Sequence, residues 1–212
     1  MKHSKWIPGI AIIGLLLTGI VFLNLNNSDK IYQVGIFQVV RHPVLDAMAE
    51  SFQNHLMENL SGEINFETMV PEGDASKTEQ MAQKFATEGY DLVFVIGTNL
   101  AQSLAKKTST IPIVLGAATD PEAAGLVQTW EHPGGNITGT SDLSPVESQL
   151  GRLAEILPGA KRVGIIYNPS EDNSGIIVTR FKSQCEKRGI TPVTGFFAIN
   201  TGTMCLCRVF KH

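Results

Sequence analysis

The chain has 212 residues, is 43% hydrophobic and 17% charged, and carries a formal net charge of -3. That length can bury one large core or two small ones, and the absence of a basic stripe leaves a nucleic-acid partner without electrostatic support. The cysteines, Cys185, Cys205 and Cys207, are odd in number and all late in the chain, which excludes a disulfide framework.

Residues 1–29 stand apart. Lys2, His3 and Lys5 precede an uncharged run from Trp6 to Leu23, long enough for one membrane-spanning helix. The positive flank should stay in the cytoplasm and send the remainder outward. The following "NLNNSDK" holds no small-x-small cleavage site, so an uncleaved membrane anchor is expected, with a cleaved signal peptide as the alternative.

From Lys30 two periods alternate. "IYQVGIFQVV" reads as a buried strand, and "PVLDAMAESFQNHLMENL" as a helix with Leu45, Met48, Phe52 and Leu56 on one stripe and Pro43 in its first turn. "EINFETMV" is a second strand. "DASKTEQMAQKFATEG" is a second helix, capped by Asp74 or Ser76 and stopped by Gly89. "YDLVFVIG" has the near-continuous apolar run of a central parallel strand, "TNLAQSLAKKT" is a short helix, and "IPIVLGA" a fourth strand. Three strand–helix–strand units in succession predict a parallel sheet covered on both faces. The Gly- and Pro-rich stretch from Ala118 to Pro145 reads as a hinge region between two lobes, with at most a short helix and a short strand. The alternation then resumes: a helix in "VESQLGRLAEILPG", with Val146, Leu150, Leu153 and Leu157 on one face, a strand in "KRVGIIYNP", a helix in "NSGIIVTRFKSQCEKRG" and a strand in "ITPVTGFF". The tail "TGTMCLCRVFKH" shows neither period and is expected to be irregular. The division expected is an anchor at 1–29, lobe I at 30–140, a partial lobe II at 141–199 and a tail at 200–212.

In an open parallel sheet, ligands bind beyond the carboxyl ends of the strands. The residues there are Gln38, Arg41 and His42 after the first strand; Gly97, Thr98 and Asn99 after the third; Thr119 and Asp120 after the fourth; Thr140, Ser141 and Asp142 after the hinge stretch; and Asn168, Ser170, Glu171, Asp172, Asn173 and Ser174 after the first strand of lobe II. Any one of them alone is an ordinary cap or turn residue. Together they offer helix N-termini for a carboxylate and carboxylates for an ammonium, a set that suits a zwitterion. No nucleophile elbow, phosphate loop or dinucleotide fingerprint occurs, and the histidines do not pair at metal-ligand spacing. The expectation is a protein that is not an enzyme and uses no cofactor or metal.

The stretches "VGIFQVVRHPVLD", "PEGDASK", "DLVFVIGTNLAQSLA", "IPIVLGAATDPEAAGLV", "HPGGNITGTSD" and "VGIIYNPSEDNS" resemble the ABC-transporter substrate-binding protein family that includes tryptophan/tyrosine-type binding proteins. The resemblance runs from about Ile31 to about Ala198. It implies a periplasmic-binding-protein-like α/β fold: a doubly wound parallel lobe and a second α/β lobe, here incomplete, after an N-terminal transmembrane helix. It also implies capture of an amino-acid-like small molecule, aromatic in the tryptophan/tyrosine-type members, for an importer's permease and ATPase subunits, on the outer side of the cell membrane. Carried over by position, the cleft residues are Gln38, Thr98, Asp120, Ser141, Asp142, Ser170, Glu171 and Asn173, with Asp142 for the ligand ammonium and Thr98 for its carboxylate. Two departures stand out. Arg41 replaces the small hydroxyl residue usual before "HP", and the family continues past this chain's end, so the chain reads as C-terminally truncated. The alternatives are a non-functional fragment and an extracytoplasmic ligand-sensing domain.

Overall fold

The computed structural model describes residues 30–169, 171–200 and 203–206. Five strands form the first sheet: β1 (Ile31–Gln38), β2 (Glu63–Met69), β3 (Leu92–Ile96), β4 (Ile113–Ala117) and β5 (Ile137–Gly139), in the order β2-β1-β3-β4-β5. Every neighbouring pair is parallel. All five carboxyl ends therefore lie on one rim, as the alternation of apolar strands and amphipathic helices predicts.

Side-chain alternation along a strand splits the core into two layers. Val34 and Ile36 of β1 and Phe94 and Ile96 of β3 face α1 (Pro43–Asn59), whose Leu45, Met48, Phe52 and Leu56 pack against them. Phe52 stacks on Phe94 with ring centroids 4.0 Å apart. Phe37, Val93 and Val95 point the other way, into a layer with Ala82 and Phe85 of α2 (Ala75–Thr87) and Leu100, Ala101 and Leu104 of α3 (Thr98–Ala105). Gly35 has no side chain because Phe85 occupies the space: a Cβ there would lie 2.4 Å from its ring.

Local chemistry sets the helix ends. His42, before Pro43, caps α1 by accepting the Val44 N–H at Nδ1, 3.3 Å away. Asp74 caps α2 by accepting the Lys77 N–H at 2.9 Å, and Gly89 follows it at φ 78°, the left-handed conformation of a helix stop.

The stretch read as a hinge divides differently. Leu126 and Ile137 are buried in the first core, and β5 extends the first sheet through Ile113↔Ile137 pairing. Only the end of the stretch, after Gly139, crosses between the two α/β units. The apolar Leu126 and Ile137 drive the rest into lobe I.

The second unit has α4 (Val146–Ile156), β6 (Arg162–Tyr167), α5 (Asp172–Lys187) and β7 (Thr191–Asn200). Its core gathers Val146, Leu150, Phe181, Cys185 and Ile190, with Val163 and Ile165 against them. Leu157, expected on the buried face of α4, is its C-cap and is exposed. β6 and β7 are parallel. The tail expected to be irregular from residue 200 contains a further strand, β8 (Thr203–Leu206), antiparallel to β7. Pairing on a free strand edge does not require period-two polarity, which is why the pattern missed it. Among the described residues no helix is long and apolar enough to cross a membrane; the run from Trp6 to Leu23 lies outside them.

Candidate functional site

Two cavities adjoin at the carboxyl rim. The smaller, about 150 Å³, is lined by Val39, Leu45, Ile96, Gly97, Thr98, Ala117, Thr119, Asp142 and Asn173. The larger, about 360 Å³, shares Thr119, Asp142 and Asn173 and adds Ile165, Ile166, Tyr167, Ile177 and the polar Ser144, Asn168, Glu171 and Ser174. One set of walls comes from the strand ends of the first sheet, the other from the β6–α5 connection of the second unit.

The floor on the first side is the Gly97–Thr98 corner. Gly97 sits at φ 132°, a conformation that L side chains rarely adopt. A Cβ there would also approach the Val39 Cβ at 3.3 Å. The turn starts α3 without a side-chain cap, so the N–H groups of its first turn face the rim without a side-chain acceptor. Thr98 is 4% exposed, and its Oγ1 accepts the Thr119 N–H at 3.2 Å. Ser141 ties the crossing segment to the same place: its Oγ donates to the Thr119 carbonyl at 2.7 Å and accepts the Leu143 N–H at 3.0 Å. These bonds place Asp142, the next residue, on both cavities. Its carboxylate is exposed and makes no hydrogen bond or ion pair among the described residues.

On the second side, Glu171 precedes α5 and accepts from Asn168 Nδ2 at 3.0 Å and Ser174 Oγ at 3.1 Å. Asn173 projects from the first turn of α5 into both cavities. Ile165, Ile166, Tyr167 and Ile177 form the apolar part of the larger one.

Thr98, Asp142, Glu171 and Asn173, four of the residues expected at the site, thus meet at these two cavities. Ser141 supports the loop. Gln38 is fully buried at the end of β1: its Nε2 donates to the Val40 carbonyl and to Asp46 Oδ1, both at 2.7 Å, while its Oε1 has no partner. Asp120 lies on a neighbouring cavity of about 580 Å³. Its Oδ1 accepts the Ala123 N–H at 3.1 Å and its Oδ2 pairs with Arg180. Ser170 lies outside the described residues. Arg41 turns to Asp46, 3.6 Å away, and so is drawn toward α1. The apolar wall was not anticipated, because Ile165 and Tyr167 read as strand interior. Ile177, one helical turn after Asn173 on the same face, was the available signal.

Chemically, the rim joins a helix N-terminus, an unpaired carboxylate, neutral amides and hydroxyls, and an apolar wall. Such a set complements a small zwitterion with an apolar side chain. Among the described residues no three His, Cys, Asp or Glu side chains gather to hold a metal.

Comparison with known proteins shows the family and the fold. The family model described as ABC transporter substrate binding protein matches residues 33–203. A tyrosine-binding protein of Clostridioides difficile (strain R20291) is 37% identical over 164 residues, covering 76% of this chain and 48% of that protein. A structure of a conserved domain protein from Vibrio cholerae superposes with a TM-score of 0.73 at 38% identity, covering 79% of this chain and 57% of that one. The structure of an ABC domain in complex with L-Trp from Streptococcus pneumonia gives 0.69 at 39% identity, over 78% of this chain and 56% of that one. The chain spans about half the length of these relatives. It belongs to the ABC transporter substrate-binding protein family.

Proposed function

We propose that this chain is the solute-binding component of an ABC importer, capturing an aromatic amino acid between its two α/β units and performing no chemistry on it. One observation carries the reading: the uncapped N-terminus of α3 at Thr98 and the unpaired carboxylate of Asp142 border the same cavity. A ligand carboxylate is stabilised at the positive end of the helix, and a ligand ammonium by Asp142. Asn173 and Glu171 supply further polar contacts from the facing unit. Ile165, Tyr167 and Ile177 receive the side chain. The larger cavity, about 360 Å³, is of the size of small-molecule pockets, roughly 300–1,000 Å³, and the smaller adjoins it. Relatives described as tyrosine-binding and as complexed with L-Trp support the same ligand class.

In this reading the domain lies outside the cytoplasm, tethered to the membrane by the Trp6–Leu23 run, and delivers its ligand to permease and ATPase subunits. Titration of the full chain with each amino acid tests it. The expected result is saturable binding of an aromatic amino acid at micromolar affinity or tighter, about -8 kcal/mol. Turnover of any bound amino acid would overturn the assignment to transport rather than catalysis.

A further inference from the structure

We infer that Arg180 is a positioning residue that holds the two α/β units together over the cleft, through its ion pair with Asp120. Asp120 belongs to the first unit, just past the end of β4, and is 2% exposed. Arg180 belongs to α5 of the second unit, and its guanidinium donates to Asp120 Oδ2. It is the one ion pair among the described residues that joins the two units; the others lie within one unit or the other. The hydrogen bonds of Thr140 to Gly116 and of Ser141 to Thr119 tie the connecting segment to the first unit only and survive a rotation beyond it. Arg180 lies away from that connection and bridges to the rim of the first sheet.

Burial makes the pair directional. Asp120 keeps its charge out of water, and in this arrangement one cation faces it. Separating the units exchanges that cation for water and leaves the Ala123 N–H as the carboxylate's remaining protein partner. The pair therefore favours the joined state by its attraction less the cost of keeping Asp120 dry there, and removing Arg180 alone leaves the joined state with an uncompensated buried charge. Arg180 is about half exposed, so the bias is moderate and screened by salt. The reading rests on the two-unit geometry of the proposed receptor, but it concerns the unliganded chain. Its failure is therefore separate from failure of the amino-acid assignment.

The test measures the distance between the units directly. Spin labels are attached through azido-bearing residues placed at exposed Glu58 on α1 and exposed Lys182 on α5, which leaves the native cysteines untouched. Pulsed dipolar spectroscopy then gives the distance distribution of the unliganded chain. In Arg180→Met and in Asp120→Asn, the ratio of separated to joined population should rise about fivefold. The double variant should be no worse than either single, and Arg180→Lys should recover part of the joined population. Salt near 1 M should shift the unsubstituted chain in the same direction. Asp120→Asn retains the acceptor for Ala123 N–H, so it preserves the local turn and stands as the second variant should Arg180→Met melt without cooperativity. Unchanged distances in both single variants, or effects that add in the double variant, would overturn the inference.

Discussion

The Thr119 N–H donates to Thr98 Oγ1 at 3.2 Å, while the Thr119 carbonyl accepts from Ser141 Oγ at 2.7 Å. One residue after β4 thereby fastens the start of α3 and the segment that crosses to the second unit. The position of Asp142 relative to the α3 N-terminus follows from these two bonds. Thr98→Val removes the acceptor and leaves a buried N–H unpaired, which costs about 1–3 kcal/mol. Thr98→Ser should retain most of the stability. Urea unfolding midpoints of the two variants check this, and equal losses would show that the hydroxyl does not matter.

Gly97→Ala is expected to destabilise by about 1–3 kcal/mol, the cost of a non-glycine residue in such a backbone region. Crowding against Val39 adds to it. Because the corner carries the α3 N-terminus, ligand affinity should fall with stability. Parallel urea and titration series measure both.

Gly35→Ala tests the packing of the inner layer. The added methyl meets the Phe85 ring at 2.4 Å, and overpacking of this kind costs about 1–3 kcal/mol. Phe85→Leu in the same chain opens space and should recover part of the loss. A double variant no more stable than Gly35→Ala would refute that account of the layer.

The Glu67 cluster gives a pH signature remote from the site. Lys84 Nζ donates to Glu67 Oε1 at 2.6 Å, and the Tyr90 hydroxyl donates to Oε2. The Lys84 bond first, then the Tyr90 bond, hold the Glu67 carboxyl below its ordinary 4.5. Its contribution is therefore present above pH 4.5 and is lost as pH falls through the lowered value. Glu67 raises the Lys84 ammonium above 10.5, and burial together with the Glu67 bond raises the Tyr90 hydroxyl above 10.0. Their contributions are full below those ordinary values and are lost as pH rises through the raised ones. Melting temperatures of the wild type and Glu67→Gln should differ most near neutrality and converge in acid below the Glu67 range. A constant offset across pH would show that the charge is not responsible.

Much of this architecture was legible because each element carried its own punctuation. Pro43, Asp74 and Gly89 stand where the helices begin and end, and the Val93–Ile96 run could only be a strand buried on both faces. Parallel strands alone put Thr98 at the carboxyl rim of the first sheet and Glu171 and Asn173 at that of the second, up to 75 positions on, while Asp142 joins them through the bonds at Thr119. What escaped depends on partners distant in sequence. Nothing around Asp120 foretells that Arg180, 60 residues on, takes its free oxygen. Leu126 and Ile137 look like loop residues until the core that receives them is known. The apolar wall at Ile165 and Tyr167 was hidden because a strand's last residues serve the sheet and the cleft at once. Strand β8 owes its place to an open edge of β7 rather than to its own pattern.

Isothermal titration of the full chain and of Asp142→Asn with L-Trp and L-Tyr tests the central claim most directly. The account predicts one-to-one saturable binding by the wild type and a loss of about tenfold to a hundredfold in affinity on removing the Asp142 charge, as expected for a hydrogen bond to a charged group. Absence of saturable heat with every amino acid, or equal affinity in the two proteins, would contradict it.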